Sequence, residues 1–131
     1  MLNWRRKKSA PLSGAPPVRR QKTYSAESGY VYQYFYEGQR SMLSGHGTEY
    51  VFNVSADRKT SSQVSVLIKD EAMASWQQES GRTLSTTERY AIAKMALFQA
   101  FDERETPEAV RASVEVGAAD VRAILASLNI D

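Results

Sequence analysis

The sequence predicts an α+β fold in which helices cover one face of an antiparallel meander. Three segments rich in aromatic and β-branched residues, at positions 30–37, 48–56 and 63–68, alternate with the period of two that is typical of strands. The connections between them are short, which favours antiparallel neighbours. After residue 69 the pattern changes to helical spacing. We therefore expect three strands, or four if residues 111–116 are extended, with one face covered by two to three helices.

Length and composition are those of one small domain. A chain of 131 residues has room for one modest core. With no cysteine and a single histidine, the chain cannot form disulfides, thiolate or poly-histidine metal sites, or a cysteine nucleophile. No apolar run approaches the ~18 residues of a membrane span, and the N-terminus lacks the apolar region of a secretory signal. We expect a cytoplasmic protein with no membrane-spanning segment.

The first 29 residues differ in composition from the rest of the chain. Residues 1–22 carry seven Lys and Arg and no acid, whereas the remainder carries ten bases and fifteen acids. The segment has three prolines and few large apolar residues, so it cannot bury enough surface to offset the entropy of ordering. We expect a disordered basic tail over residues 1–29 and a single α+β domain over residues 30–131.

Two interpretations of this tail stay open. It is either a solubilising tail or an arm that lies along nucleic-acid phosphates through Coulomb attraction and counterion release. Trp4, beside the first basic cluster, is placed either to stack on a base or to insert into an interface. A mitochondrial transit peptide has a similar composition, but Pro11 and the Pro16-Pro17 pair break the helix that such a peptide needs. The residues expected to contact nucleic acid are Trp4, Arg5, Arg6, Lys7, Lys8, Arg19, Arg20 and Lys22.

The strands sort their side chains onto two faces. The four tyrosines of the first strand share one face, which we interpret as packed beneath helices; the alternative is a stacking platform for bases or sugars. The predicted floor under the helices is Tyr32, Tyr34, Phe52, Val54, Val64 and Val66. The opposite face is polar at its ends with an apolar centre, which is typical of a subunit contact. This expected interface consists of Phe35, Val51 and Leu67.

Capping signals predict two consecutive helices after the third strand. Asp70 is the expected N-cap of a helix that runs through Ser80, and Gly81 is placed to end it in the left-handed conformation. Ser85 and Glu88 form a capping box at the start of the next helix.

That second helix, over residues 85–103, is the longest periodic segment and is apolar over most of its circumference. Thr106 and Pro107 then begin a segment whose residues 108–116 fit either a short helix or an edge strand. A last helix, with one apolar face, is expected over residues 119–129.

No pair or cluster in the sequence has the spacing of a catalytic or metal site. His46 lies in a Gly-His-Gly turn, and Glu49 alone among its sequence neighbours is able to orient it, so we interpret it as a solvated turn histidine. We therefore expect no catalytic residue, no cofactor or metal, no small-molecule ligand and no enzymatic activity.

One stretch carries features of a known family. QVSVLI, DEAMASW and GRTLS, followed by the apolar helix, give the order strand, capped helix, turn, capped helix. This order resembles the ribbon-helix-helix family of dimeric DNA-binding proteins. The resemblance implies a strand that pairs across a dimer and reads base edges through Gln63, Ser65 and Leu67. The sequence departs from the family in having no Arg or Lys at those positions and two strands before them.

Two functional hypotheses follow. The first is a nucleic-acid-associated accessory or regulatory protein, in which the basic tail binds DNA or RNA without sequence specificity. The second is a homodimeric protein-interaction module that uses the outer sheet face and has no nucleic-acid role.

Overall fold

A computed structural model describes residues 10–131 and confirms the α+β class. Within that range the chain forms five strands and four helices. They are β1 Lys22–Ser25, β2 Val31–Ser41, β3 Gly47–Ser55, β4 Ser62–Lys69, α1 Asp70–Ser80, α2 Thr86–Glu103, α3 Pro107–Val110, β5 Val114–Val116 and α4 Ala118–Ser127. None of the helices in this range combines the length and hydropathy needed to cross a bilayer.

The strands form one sheet in chain order from β1 to β5. Strands β2 to β4 make the predicted antiparallel meander, but the sheet is larger than predicted because β1 joins one edge and β5 the other. β5 is parallel to β4, with Val66 opposite Val114, because the chain returns to the sheet through the helices rather than through a turn. The ambiguous segment therefore contains both a short helix and a strand.

The structure corrects the boundary expected at residue 30. Residues 22–25 pair with the start of β2, and the backbone of Ser13 exchanges hydrogen bonds of 2.8 and 2.9 Å with Gln39. Tyr24 is the physical reason that β1 packs on the domain. Its ring stacks on Phe98 with centroids 4.3 Å apart, and its hydroxyl donates to Asp102 at 2.8 Å. Trp4 and the basic residues 5–8 lie outside the described residues.

A bulge in β2 makes room for the N-terminal segment. The register with β3 shifts between Tyr36 and Gly38, and Gly38 adopts φ 131°. A Cβ at this position would lie 2.7 Å from the carbonyl oxygen of Ser13, so only glycine allows the two backbones to approach this closely. The backbone around Ser13 therefore lies along the part of the β2 edge that β1 leaves unpaired.

The core lies between the inner sheet face and the helices. All six side chains of the predicted floor are buried there, and the ring of Tyr32 stacks on Phe101 of α2 with centroids 4.3 Å apart. Burial of each large apolar side chain contributes roughly 1.5–3 kcal/mol. The buried residues of α2 are Ile92, Ala93, Ala96, Leu97, Ala100 and Phe101. Tyr32 and Tyr34 of β2 are therefore core residues, and Tyr36 packs partly buried against the core.

The helix ends follow the predicted signals with one exception. Ser85 Oγ accepts from the Glu88 amide at 3.1 Å, and the Glu88 carboxylate accepts from the Ser85 amide at 2.9 Å, which confirms the capping box. Gly81 ends α1 at φ 72°. Asp70 is not the N-cap of α1, because β4 runs directly into the helix and Lys69 takes the cap position.

Candidate nucleic-acid interface

An open groove of about 470 Å³ separates the N-terminal segment from the start of α2. Its floor is the inner face of β2 at Tyr34 and Tyr36, and Tyr90 of α2 forms one wall. Pro16 and Val18 form part of the opposite wall, which exists because β1 and the Ser13 bridge hold this segment along β2. The groove is therefore bounded by aromatic rings on the domain side and by the basic segment on the other.

The tyrosines in the groove present ring surface that stays uncharged. The ring centroids of Tyr36 and Tyr90 lie 4.8 Å apart, and Tyr36 also packs on Phe52 at 5.3 Å. Burial raises the pKa of the Tyr36 phenol well above its usual range, and it raises the pKa of Tyr90 as well. Both rings are half-buried, so their remaining surface is available to a flat ligand.

Two cations line the groove and a third lies beside one of them, and none of the three has an acid to pair with among the described residues. Arg20 and Lys22 line the groove, and Lys94 of α2 lies beside Lys22 with its Nζ 5.7 Å from the centroid of Phe98. Burial lowers the pKa of Lys94, and the charge of Lys22 lowers it further. Within residues 10–131, none of the three has a carboxylate within 4 Å. Neighbouring like charges on a partly apolar surface favour an anion between them.

Of the basic residues predicted to contact nucleic acid, the described ones lie on two different surfaces of the domain. Arg20 and Lys22 enter the groove, whereas Arg19 turns toward the outer sheet face. There the Arg19 guanidinium lies 5.7 Å from the Phe35 ring centroid and 3.9 Å from Glu37.

The contribution of α2 to the site is not predicted from the sequence. Tyr90 and Lys94 lie within the helix predicted over residues 85–103, to which the sequence assigns only a packing role. The available signal was Lys94 itself, a lone lysine in the middle of an apolar helix. The contact between Lys94 and Lys22 cannot be predicted from the sequence, because it forms only when β1 pairs with β2.

The outer sheet face offers less apolar surface than expected. Val51 has 0% of its surface exposed, so its side chain cannot contact a partner, while Phe35 and Leu67 are half-buried. Around them the polar groups satisfy one another: Arg40 pairs with Glu49 at 2.9 Å, and the Ser65 hydroxyl also donates to Glu49. The Arg40 hydrogen bond holds the pKa of Glu49 below its usual range.

The strand order does not fit the ribbon-helix-helix arrangement. β4 lies between β3 and β5, so one of its edges is paired with β3 and residues 66–68 of the other are paired with β5, which leaves no free β4 edge of full length to pair across a dimer. Of the positions that the resemblance implied, Gln63 donates to Glu37 at 3.1 Å and Ser65 donates to Glu49. These side chains belong to the polar network of the outer face.

The histidine and the acidic residues of the described part of the chain do not form a metal site. His46 is exposed, and no group of three His, Asp or Glu side chains in residues 10–131 is arranged to hold a metal ion. Comparison of the chain with models of protein families, with curated proteins and with solved structures gave no match. Any function assigned to this protein must therefore be argued from the aromatic and basic side chains that line the groove.

Proposed function

We propose that this protein is a non-enzymatic binding protein for single-stranded nucleic acid, and that the groove beside α2 is its binding site. The observation that carries the proposal is a set of neighbouring cations without acid partners among residues 10–131, of which Arg20 and Lys22 line the aromatic groove and Lys94 lies beside Lys22. In this arrangement bases lie against Tyr36 and Tyr90, and phosphates lie between the lysines.

The shape of the groove favours a single strand over a duplex. Its aromatic surface lies at the floor and wall of a concavity, which unstacked bases can enter and paired bases cannot. Stacking of a base on an aromatic side chain contributes about 1–3 kcal/mol and tolerates any base sequence. The proposal therefore predicts binding with little sequence preference.

The lysine pair supplies the electrostatic part of the affinity. A phosphate between Lys22 and Lys94 replaces their mutual repulsion by attraction to both. For single strands the logarithm of the affinity falls with the logarithm of salt concentration by about 0.7 per neutralised phosphate. Phosphate contacts with Arg20, Lys22 and Lys94 correspond to a slope of about −2, to which the basic residues 5–8 add.

Fluorescence anisotropy with a labelled mixed-sequence 15-nucleotide strand at several KCl concentrations tests the site. Lys94→Gln should weaken binding about fivefold at low salt and reduce the slope by about 0.7. Tyr90→Leu should weaken binding about tenfold with an unchanged slope, because it removes stacking and no charge. Lys59→Ala, an exposed lysine in the β3–β4 turn, is the matched control.

A quadruple glutamine variant at residues 5–8 separates the groove from the rest of the basic segment. If the groove binds nucleic acid, this variant keeps measurable affinity and keeps its sensitivity to Lys94→Gln. Loss of all binding in the quadruple variant, or equal affinities for Lys94→Gln and wild type, would reject the groove as the site. The K94Q protein should be at least as stable as wild type, because the substitution relieves repulsion with Lys22.

A further inference from the structure

Lys94 extends its amine over an aromatic surface near the middle of α2. Its side chain is partly exposed, and its Nζ lies 5.7 Å from the ring centroid of Phe98. The Phe98 ring stacks in turn on Tyr24 and packs edge-on against Tyr34. Aromatic rings of α2 and of two strands therefore bound one side of this amine, and the other side remains open to solvent.

The charge beside Lys94 is positive. Lys22 of β1 lies next to it, and within residues 10–131 neither amine has a carboxylate within 4 Å. Asp102 lies about two turns further along α2 and already accepts hydrogen bonds from the Tyr24 hydroxyl and the Glu27 amide. Burial lowers the pKa of Lys94, and the charge of Lys22 lowers it further.

These surroundings favour a nucleophilic amine. Only the neutral form of a lysine has a lone pair to donate, and burial and a neighbouring cation both increase the neutral fraction. The face of Phe98 attracts the ammonium form only weakly at a partly exposed position. Tyr24, Tyr34 and Tyr90, the phenols on the elements around Lys94, add no charge near neutral pH, because burial raises the pKa of each.

The same cations attract an anion to the amine. Lys22 and Arg20 both line the groove, so a small phosphate compound is drawn to the position next to Lys94. In an acyl phosphate the activated carbonyl carbon lies one oxygen away from the phosphorus. An anion held by Lys22 therefore brings this carbon close to the Lys94 nitrogen.

We propose that Lys94 is an acylation site that takes its acyl group from a small acyl phosphate, and that acylation there weakens nucleic-acid binding. The neutral Lys94 nitrogen attacks the carbonyl carbon and a C–N bond forms. The C–O bond to the phosphate breaks, inorganic phosphate leaves, and the proton lost from the nitrogen goes to water. The regulatory part rests on the function proposed for the groove, because the amide lacks the charge that attracts a backbone phosphate.

Acetylation of the full chain by acetyl phosphate, followed by peptide mass spectrometry, measures the rate at each lysine. At about pH 7.5 Lys94 should react about threefold faster, or more, than the exposed Lys59 and Lys69. This preference should narrow toward about pH 10.5, where ordinary lysines also become neutral. With the uncharged donor p-nitrophenyl acetate it should be smaller at both pH values, because Lys22 then holds no anion.

Two variants of Lys22 test its role. Lys22→Gln should slow acetylation of Lys94 by about threefold or more, whereas Lys22→Arg, which keeps the charge, should retain the wild-type rate. The rates at Lys59 and Lys69 should not change in either variant, and they serve as the internal control. Circular dichroism checks that both variants keep the fold.

A rate at Lys94 no higher than at Lys59, or one insensitive to Lys22→Gln, would overturn the proposal. Acetylated protein that binds the labelled strand like unmodified protein, while Lys94→Gln binds about fivefold more weakly, would overturn its regulatory part. Failure of the nucleic-acid proposal has a different signature. In that case Lys94→Gln and wild type bind the strand equally, and Lys94 is still the preferred amine.

Discussion

Tyr24 holds β1 against α2 through two contacts that can be removed one at a time. Its hydroxyl donates to Asp102 at 2.8 Å, and its ring stacks on Phe98 with centroids 4.3 Å apart at an angle of 10°. Tyr24→Phe removes the hydrogen bond and keeps the stack, whereas Tyr24→Ala removes both. Since residues 22–29 were expected in a tail, these variants test the corrected boundary directly.

The size of each effect follows from the surroundings of the side chain. Asp102 still accepts from the Glu27 amide at 3.0 Å in Tyr24→Phe, and the site is only half-buried. We therefore expect a loss of about 1 kcal/mol, below the roughly 1.5–3 kcal/mol typical of a hydrogen bond to a charged group. Tyr24→Ala also loses the aromatic pair and its buried ring, for a total of about 3 kcal/mol. In a chain of this length these losses lower Tm by about 4 and 12 °C.

The hydrogen bond also predicts a dependence on pH. Burial, the bond to Asp102 and the nearby acids raise the pKa of Tyr24 to about 12 from an ordinary value of 10.0. A raised pKa means that the folded state favours the protonated phenol. The stability that Tyr24 adds over phenylalanine is therefore complete below pH 10 and is lost as the pH rises toward 12.

Urea unfolding followed by circular dichroism measures these differences, with an unchanged m-value as the sign that the same surface unfolds. Thr23→Ala, the exposed neighbour on β1, serves as the control and should stay within about 0.5 kcal/mol of wild type. If Tyr24→Ala is as stable as Thr23→Ala, β1 does not contribute to the fold and the reasoning is refuted.

Three further substitutions test other parts of the fold. Phe101→Ala should cost about 3–5 kcal/mol in urea unfolding, because the side chain is fully buried and stacks on Tyr32; Phe101→Leu should cost clearly less. Ser85→Ala should cost about 1 kcal/mol by the same assay, and a neutral result would contradict the capping role. Arg104 donates to the carbonyls of Ala112 at 2.6 Å and Ser113 at 3.1 Å, so Arg104→Ala should speed amide hydrogen exchange in β5 while leaving β2 unchanged.

The parts of the fold predicted from sequence are those whose signal is local. The capping box at Ser85 needs residues three apart, and the alternating floor of β2 to β4 needs only a period of two. These features remain visible whatever the rest of the chain does. Asp70 shows the limit, because a good capping residue is displaced by one position when a strand leads straight into the helix.

The parts that were missed depend on contacts between distant segments. β1 has four residues with one partly buried side chain, and the partners of Tyr24 come from α2, far along the chain. β5 has three residues, and its pairing with β4 spans three helices. The candidate site divides in the same way. Charge counting identified Arg20 and Lys22, but Lys94 joins them only once β1 is in place.

The parallel placement of β5 has a consequence for biosynthesis. A ribosome delivers β4 long before Val114–Val116, so the nascent chain carries an open strand edge while α1, α2 and α3 are being made. That edge displays the backbone of a strand whose inner side chains, Val64, Val66 and Ile68, are apolar. Chains interrupted before residue 114 keep it unpaired, and we expect them to associate through this edge more readily than the finished protein does.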